Sequence, residues 1–196
     1  MKKKGKKKSR KKSGIWKIFF LLIIIGIGFS MVYLFHQEIF DSVKPWFEKR
    51  GILREKKGIL LYFSDGAGEY LIGEKREILK RDEVDEEAEE AVNELIKGPK
   101  GKLIPTFPPQ TKLLGLELGK EGVAKVNFNR ALSKDHPGGS SAEVMTVYSV
   151  VNSLALNFSQ IKRVQILIEG KEIETITGHL SLRRAVLPKP DLIRRQ

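Results

Sequence analysis

The chain of 196 residues contains no cysteine, which excludes disulfides, thiolate metal sites and a lipid-modified cysteine anchor. Its formal net charge of +12 would suit a nucleic-acid binder, but nine of its 36 Lys and Arg residues lie in the first twelve positions. From His36 onward, 26 basic residues stand against 24 acidic ones. A phosphate-backbone binder needs its basic surface on the folded part of the chain, so we expect no nucleic-acid partner.

An uncharged stretch, IFFLLIIIGIGFSMVYLF at residues 18–35, follows the basic leader at residues 1–14. Because its length is close to the ~20 residues of one helical membrane span, it predicts a transmembrane helix over residues 15–35. The basic leader stays cytoplasmic under the positive-inside rule. We therefore expect a single-pass protein of the cytoplasmic (inner) membrane whose C-terminal part is extracytoplasmic. A cleaved signal peptide is the alternative, but the apolar run is longer than such peptides need.

The remaining chain divides into three parts. Residues 36–57 form a juxtamembrane stalk, in which Pro45 is expected to interrupt a continuous helix. The apolar residues of this stalk suit either the membrane interface or a solvated spacer. Residues 58–187 are long enough for one domain with its own core. Residues 188–196, with two prolines and a polar end, predict an extended tail.

The domain opens with a predicted hairpin. Ile59–Phe63 is short, apolar and rich in strand formers, a turn follows at Asp65, and Tyr70–Ile72 is the partner strand. A helix is then predicted over Asp82–Lys97, where apolar residues recur at spacings of three and four. Acidic residues fill its first turn, which the helix dipole favours, and a Gly-Pro step ends it.

The second half of the domain repeats this order. Strands are predicted at Leu113–Leu118 and Val123–Asn129, and apolar and polar residues alternate along the second of them. A helix follows over Ser141–Phe158. Ser140 and Glu143 have the spacing of a capping box at its start.

A last hairpin is predicted from Val164–Ile168 and Glu172–Ile176, on either side of a turn containing glycine. The order of elements is strand, strand, helix, strand, strand, helix, strand, strand. We therefore predict an α+β fold, a two-layer sandwich of a largely antiparallel sheet with its two main helices on one face.

The sequence offers little for catalysis or metal binding. Without cysteine, a nucleophile would have to be a serine, threonine or lysine beside a base. The histidines are His36, His136 and His179, and no two have the spacing of metal ligands. Asp135 precedes His136, but the Pro-Gly-Gly that follows favours a solvated loop histidine over a catalytic dyad. We expect no catalytic residue, metal or cofactor.

Two segments are candidate interaction surfaces. The loop Lys97–Thr111 combines four prolines with Leu103, Ile104 and Phe107, and exposed apolar groups on a rigid loop mark contact surfaces. The same side chains would equally suit packing back onto the sheet. The first helix of the domain carries an acidic face that would dock a basic neighbour, although a charge run is usually a solvated face. Its residues are Glu83, Glu86, Glu87, Glu90 and Glu94.

Four segments together resemble the GerMN domain of spore germination and sporulation proteins. They are LLYFSDGAGEYLI, NELIKGPKGKLIPTFPPQTKLLGLEL, GVAKVNFNRAL and SSAEVMTVYSVVNSLALNFSQIKRVQILIEGKE. The likeness covers residues 59 to about 180 and rests on the order of the segments. It implies an extracytoplasmic, membrane-tethered domain without known enzymatic activity. It also implies a fold similar to ring-building domains of secretion and sporulation assemblies, whose helix–strand–strand–helix–strand order residues 82–168 match.

These inferences lead to one functional expectation and one alternative. We expect a non-catalytic domain that contacts a protein partner, another copy of itself or peptidoglycan near the membrane, in sporulation, germination or another envelope assembly. A cell-wall-active hydrolase or peptidoglycan-binding module is the alternative. The hydrolase would require two carboxylates, or a serine and a base, to converge in a cleft. His136 beside Asp135 and Glu143 in a concave pocket would favour it.

Overall fold

The chain divides into two units, with the boundary between Arg54 and Glu55. The computed structural model describes the backbone of residues 12–49, with the side chains of residues 16–34, and the whole of residues 55–194. The predicted basic leader therefore lies almost entirely outside the described residues.

The first unit contains one long helix, α1, at Lys12–Lys49. Within it, Trp16–Leu34 has a mean hydropathy of 2.3 and is long and apolar enough to cross a membrane. A signal sequence near an N-terminus has the same properties, so length and composition leave both alternatives. The helix continues through Pro45, and the expected interruption there is wrong. Proline removes one backbone donor, and the other hydrogen bonds of a long helix suffice to continue it.

The second unit begins with an antiparallel hairpin of β1, Lys56–Ser64, and β2, Leu71–Leu79. The predicted turn is confirmed, because the Asp65 carboxylate accepts hydrogen bonds from the backbone N–H groups of Glu69 (2.9 Å) and Tyr70 (3.3 Å). β2 is much longer than the three residues predicted for it, since it runs on through charged residues that carry no apolar alternation.

A four-stranded sheet, ordered β3-β4-β5-β6, forms the rest of the domain. Its strands are β3 at Leu113–Leu118, β4 at Val123–Phe128, β5 at Arg163–Ile168 and β6 at Lys171–Glu172. The β4–β5 pair is parallel and the other two pairs are antiparallel. Between β4 and β5 lie two helices, the single turn α3 at Ala131–Lys134 and the long α4 at Ser140–Asn157. A helix of that length returns the chain to the start of the sheet, which is the connection that a parallel pair requires.

Two helices enclose the core. The helix α2, at Val84–Ile96, packs against β3 and both strands of the hairpin, and α4 packs against β1 and β5. The largest side chains with less than 2% exposure include Phe63, Leu95, Phe128, Leu154 and Ile166. The α+β class is confirmed. The strands form two sheets rather than the one sheet predicted, and both sheets pack against α2 and α4.

The C-terminal segment lies along the domain as far as Arg194. Asn152 on α4 accepts from the backbone N–H of Lys189 (2.8 Å) and donates to its carbonyl (3.1 Å). Further on, the Arg194 N–H donates to the carbonyl of Leu71 (2.9 Å), and Ile193 forms a parallel bridge with that residue. This segment therefore reaches the outer edge of β2 at the start of that strand.

Candidate functional site

Side chains of α4 close the outer edge of β1 at Leu60 and Tyr62. Asn157 accepts from the Leu60 N–H (2.9 Å) and donates to its carbonyl (2.6 Å). Ser153 accepts from the Tyr62 N–H (3.0 Å), and Ser149 donates to the Tyr62 carbonyl (2.5 Å). The spacing of four residues places these three side chains in one line along the helix, where they replace a neighbouring strand.

The outer edge of β3 is closed in the same way by α2. Glu89 accepts from the Leu116 N–H (2.9 Å), and Asp85 accepts from the Leu118 N–H (3.2 Å). These carboxylates are again four residues apart, and the two donors are two residues apart on the strand. Because an open strand edge invites pairing with other chains, these bonds remove that option from β3.

Another side of α2 binds the end of the hairpin. Glu87 accepts from the Arg81 N–H (3.0 Å) and pairs with Lys57 (2.6 Å), while Glu90 accepts from the Leu79 N–H (3.1 Å). Burial would raise the pKa of Glu87, but the bonds from Lys57 and Arg81 outweigh it and hold that pKa below its ordinary value. The carboxylates of α2 thus join both sheets.

The predicted acidic surface of α2 is therefore only partly exposed to solvent. Glu87 is 5% exposed, and Glu90 and Glu94 are half-buried. Only Glu83 and Glu86 of the five are exposed. The expectation of one solvated face fails because Glu87 and Glu90 accept from backbone N–H groups and Glu94 accepts from the buried Arg76.

A buried arginine holds β2, α2 and the following loop together. Arg76, 4% exposed, donates to Glu74 (2.7 Å), to Glu94 (3.1 Å) and to the carbonyl of Gly98 (2.8 Å). Burial would raise the pKa of Glu94, but Lys97 and Arg76 hold it below the ordinary range. Removing Glu74 or Glu94 would leave the buried charge of Arg76 partly uncompensated. The cluster therefore stabilises the packing of β2 against α2 and the loop that follows it.

The predicted contact loop is also mostly folded inward. Phe107 is 6% exposed and its ring lies 5.6 Å from that of Phe128, while Leu103 is half-buried against the core. Ile104 is 47% exposed, and its N–H donates to the carbonyl of Ser64 (2.9 Å). Of the three apolar residues predicted for this surface, Ile104 alone is open to solvent. A cleft of about 570 Å³ lies between this loop, the hairpin turn and the start of α4.

His136 is half-buried and bonded through both ring nitrogens, so the expectation of a solvated loop histidine is wrong. Its Nε2 lies 2.9 Å from the Thr146 hydroxyl, and its Nδ1 accepts from the Gly138 N–H (3.1 Å). Burial lowers the pKa of His136, and the charge of Glu143 offsets part of this effect. With Nδ1 accepting, the neutral ring donates from Nε2 to Thr146.

Glu143 is fully buried and anchors the loop that follows β6. Its carboxylate accepts from the N–H groups of Ile176 (2.8 Å), Thr177 (3.1 Å) and His179 (2.8 Å). It also accepts from the hydroxyls of Thr175 and Thr177. Burial would raise the pKa of Glu143, but these bonds, led by that from Thr175, lower it to about 2.

Two predictions, the capping box at the start of α4 and the length of the last strand, are wrong because Glu143 binds the loop after β6. The capping box is wrong, because α4 begins after Gly139 without any side-chain cap. The second strand of the last hairpin is shorter than predicted, because Glu143 draws Thr175–His179 away from the sheet. The sequence held no sign of this, since the spacing of Ser140 and Glu143 suits a cap equally well.

The three residues that would favour a hydrolase, Asp135, His136 and Glu143, do not meet in one cleft. Glu143 binds the loop after β6, and His136 binds Thr146 and Gly138. Asp135 lines the 570 Å³ cleft, whereas His136 and Glu143 are not among its lining residues. Among residues 16–34 and 55–194, no group of three His, Asp or Glu side chains is placed to hold a metal ion. His36 lies where side chains are not described.

One strand edge differs from the others. Because Leu60 and Tyr62 turn their backbone groups away from β2, the register turns those of Gly73, Lys75 and Glu77 away from β1. Within the described residues these groups have no hydrogen-bond partner. A shallow depression of about 840 Å³ borders them on the outer face, lined by Gly58, Leu60, Lys75 and Glu77 among others.

Comparison with solved structures identifies the fold. The first GerMN domain of the sporulation protein GerM from Bacillus subtilis is 22% identical, with a TM-score of 0.55, over 69% of this chain and 99% of that one. The tandem GerMN domains of the same protein are 21% identical, with a TM-score of 0.53, over 70% of this chain. The present chain spans 48% of that tandem structure. No curated protein sequence matches the chain.

The structure thus defines the class, an α+β domain that follows a helix apolar enough to span a membrane. The sequence then gives the family. Residues 60–174 match the model of the Germane domain, described as "Sporulation and spore germination", which is more than half of the chain. The protein belongs to this family, and the predicted GerMN-like domain is confirmed.

Proposed function

We propose that this protein is a non-catalytic, membrane-anchored domain that contacts a protein partner or envelope material outside the cytoplasm. The observation that carries the proposal is the order of the chain: a Germane domain at residues 60–174 follows the apolar helix Trp16–Leu34 and a basic leader. A leader with nine basic residues in twelve positions favours a cytoplasmic N-terminus, and therefore an extracytoplasmic domain.

The side chains support a binding role more than a hydrolytic one. The most strongly shifted carboxylate, Glu143, accepts five hydrogen bonds and has no lone pair to spare for a substrate. The imidazole of His136 has both nitrogens bonded within the fold. A catalytic acid or base needs a free position towards its substrate.

The predicted interaction residues that remain accessible refine this proposal. Ile104 is exposed beside the 570 Å³ cleft, and Glu83 and Glu86 are exposed at the start of α2. We propose these three as contact residues for a protein partner. Leu103, Phe107 and Glu87 act on such a contact only by holding the surface in place.

Membrane topology and partner capture together test the proposal. In intact protoplasts carrying the full chain, we expect external protease to digest the C-terminal domain while the N-terminal leader stays protected. A photo-crosslinking residue at Ile104 should capture a discrete protein, and the same residue at Lys125 on the other sheet is the control. Digestion only after lysis would contradict the topology. Capture of peptidoglycan fragments instead of protein would favour the peptidoglycan-binding alternative.

A further inference from the structure

The open edge of β2 lies between two points that are already closed. At one end, the carbonyl of Leu71 accepts from Arg194, and at the other the N–H of Leu79 donates to Glu90. Between them, Gly73, Lys75 and Glu77 present three N–H and three C=O groups in an extended row. The fold closes its β1 and β3 edges with dedicated side chains, so this row is the one long strand edge it leaves available within the described residues.

We propose that residues 75–77 of β2 pair in antiparallel fashion with the same residues of a second copy of this chain. Two β1–β2 hairpins would then form one four-stranded sheet across a twofold axis. The inference rests on the proposed function, because it names the contacting partner as this protein itself.

Charge complementarity selects the partner and the register. With the twofold axis at Arg76, each Lys75 lies directly opposite Glu77 of the other copy, and their side chains share the outer face of the sheet. Moving the axis by one residue places Lys75 opposite Lys75, or Glu77 opposite Glu77. Opposite charges across strands are favourable and like charges are not, so one register is preferred.

The surroundings allow this pairing. Lys75 and Glu77 are exposed, and the 840 Å³ depression beside them gives room for the side chains of the second copy. The existing pair between Glu77 and Lys56 is 65% exposed on both sides and therefore contributes little, so Glu77 is free to turn towards another lysine. Arg76 is already paired with two carboxylates, so no unpaired charge meets at the axis.

Because the chain has no cysteine, disulfide trapping tests the register directly. Full-length Lys75→Cys and Glu77→Cys chains with different tags would be reconstituted together in lipid vesicles and oxidised. Residues in a hydrogen-bonded antiparallel pair have Cα atoms about 5.5 Å apart, a distance that a disulfide spans. We expect several-fold more mixed dimer than from the matched control, Lys125→Cys with Glu117→Cys. Mixed dimer at the control level, or no more than Lys75→Cys gives alone, would overturn the proposal.

Charge exchange tests the same contact without cysteines. Lys75→Glu or Glu77→Lys alone should raise the dimer dissociation constant of the full chain about tenfold, because each places two like-charged pairs across the axis. The double exchange, Lys75→Glu with Glu77→Lys, should restore it to within about twofold. A double variant as weak as the single ones would contradict the pairing. When the Lys75→Cys chain is oxidised in cell membranes instead, crosslinking to another protein in place of a second copy would end self-pairing yet leave the proposed function standing.

Discussion

The edges of β1 and β3 and the edge of β2 are composed of the same backbone groups but meet different environments. Ser149, Ser153 and Asn157 close the first, and Asp85 and Glu89 close the second. The row from Gly73 to Glu77 faces outward with no such side chain. Where a helix passes beside a strand, its polar residues substitute for a missing strand, and where none passes, the edge stays available. The comparison separates polar residues that complete the fold from those available to a partner.

Replacing Glu143, the buried side chain that accepts the most hydrogen bonds, should have the largest effect on stability. Glu143→Gln should lower the free energy of unfolding by about 3 kcal/mol at pH 7, because the amide loses the charge and places donors against donors. Urea-dependent pulse proteolysis of the full chain in nanodiscs would measure it. The matched control is Glu86→Gln, an exposed residue with only a loose 3.7 Å ion pair, which should change stability by less than about 0.5 kcal/mol. Equal effects of the two variants would contradict the comparison.

The difference between wild type and Glu143→Gln should depend on pH. The pKa of Glu143 is about 2 in the fold against 4.5 ordinarily, so the stability it contributes is complete above pH 4.5. That contribution is lost as pH falls through the folded pKa of about 2. Unfolding measured from pH 6 to pH 2 should therefore show the two proteins converging. A difference that stays constant over this range would exclude the ionised carboxylate as the cause.

Removing a hydrogen bond at the β1 edge should lower stability by less than Glu143→Gln does. Ser153→Ala leaves the buried Tyr62 N–H without its acceptor, which should cost about 2 kcal/mol. Ser159→Ala, just beyond the same helix and exposed, serves as the control and should be nearly neutral. Chemical denaturation of both full-length variants decides the matter. A neutral Ser153→Ala would mean that α4 does not close this edge.

The smallest predicted difference in stability is between variants of two neighbouring glutamates on α2. Glu87→Gln should cost about 1 kcal/mol, because the buried carboxylate bonds Lys57 and the Arg81 N–H, whereas Glu86→Gln should be close to neutral. Denaturation midpoints of the two variants test whether the glutamates of α2 are all solvent-exposed or divide into buried, hydrogen-bonded ones and exposed ones. Equal midpoints would favour a single solvated face.

The sequence predicted most elements from apolar periodicity but missed those that depend on buried charge. β3 has the predicted bounds, and the predicted β4 is one residue longer than the observed strand. β2 was predicted too short because charged residues follow Ile72, and the sequence gives no sign that three hydrogen-bond partners let Arg76 lie inside. Periodicity reports which apolar residues share a face. It does not report which carboxylate finds a distant donor, since that depends on tertiary contacts.

The candidate surfaces show the same limit. Phe107 and Glu87 belong to segments whose composition suits an exposed contact, yet both are buried. The open edge at Lys75 was missed because its strand was read as ending at Ile72. The signal available was the run of four charged residues of both signs at positions 74–77, and it suits an exposed strand only once the register of that strand is known.

Hydrogen exchange of backbone amides in the full chain tests the central claim most directly. We expect the N–H groups of Tyr62, Leu116 and Leu118 to exchange slowly although they lie on strand edges, because side chains of α4 and α2 accept from them. Those of Lys75 and Glu77 should exchange fast at low protein concentration and become protected as the concentration rises. Exchange of Leu116 as fast as that of Lys75 at every concentration would contradict the distinction between closed and open edges.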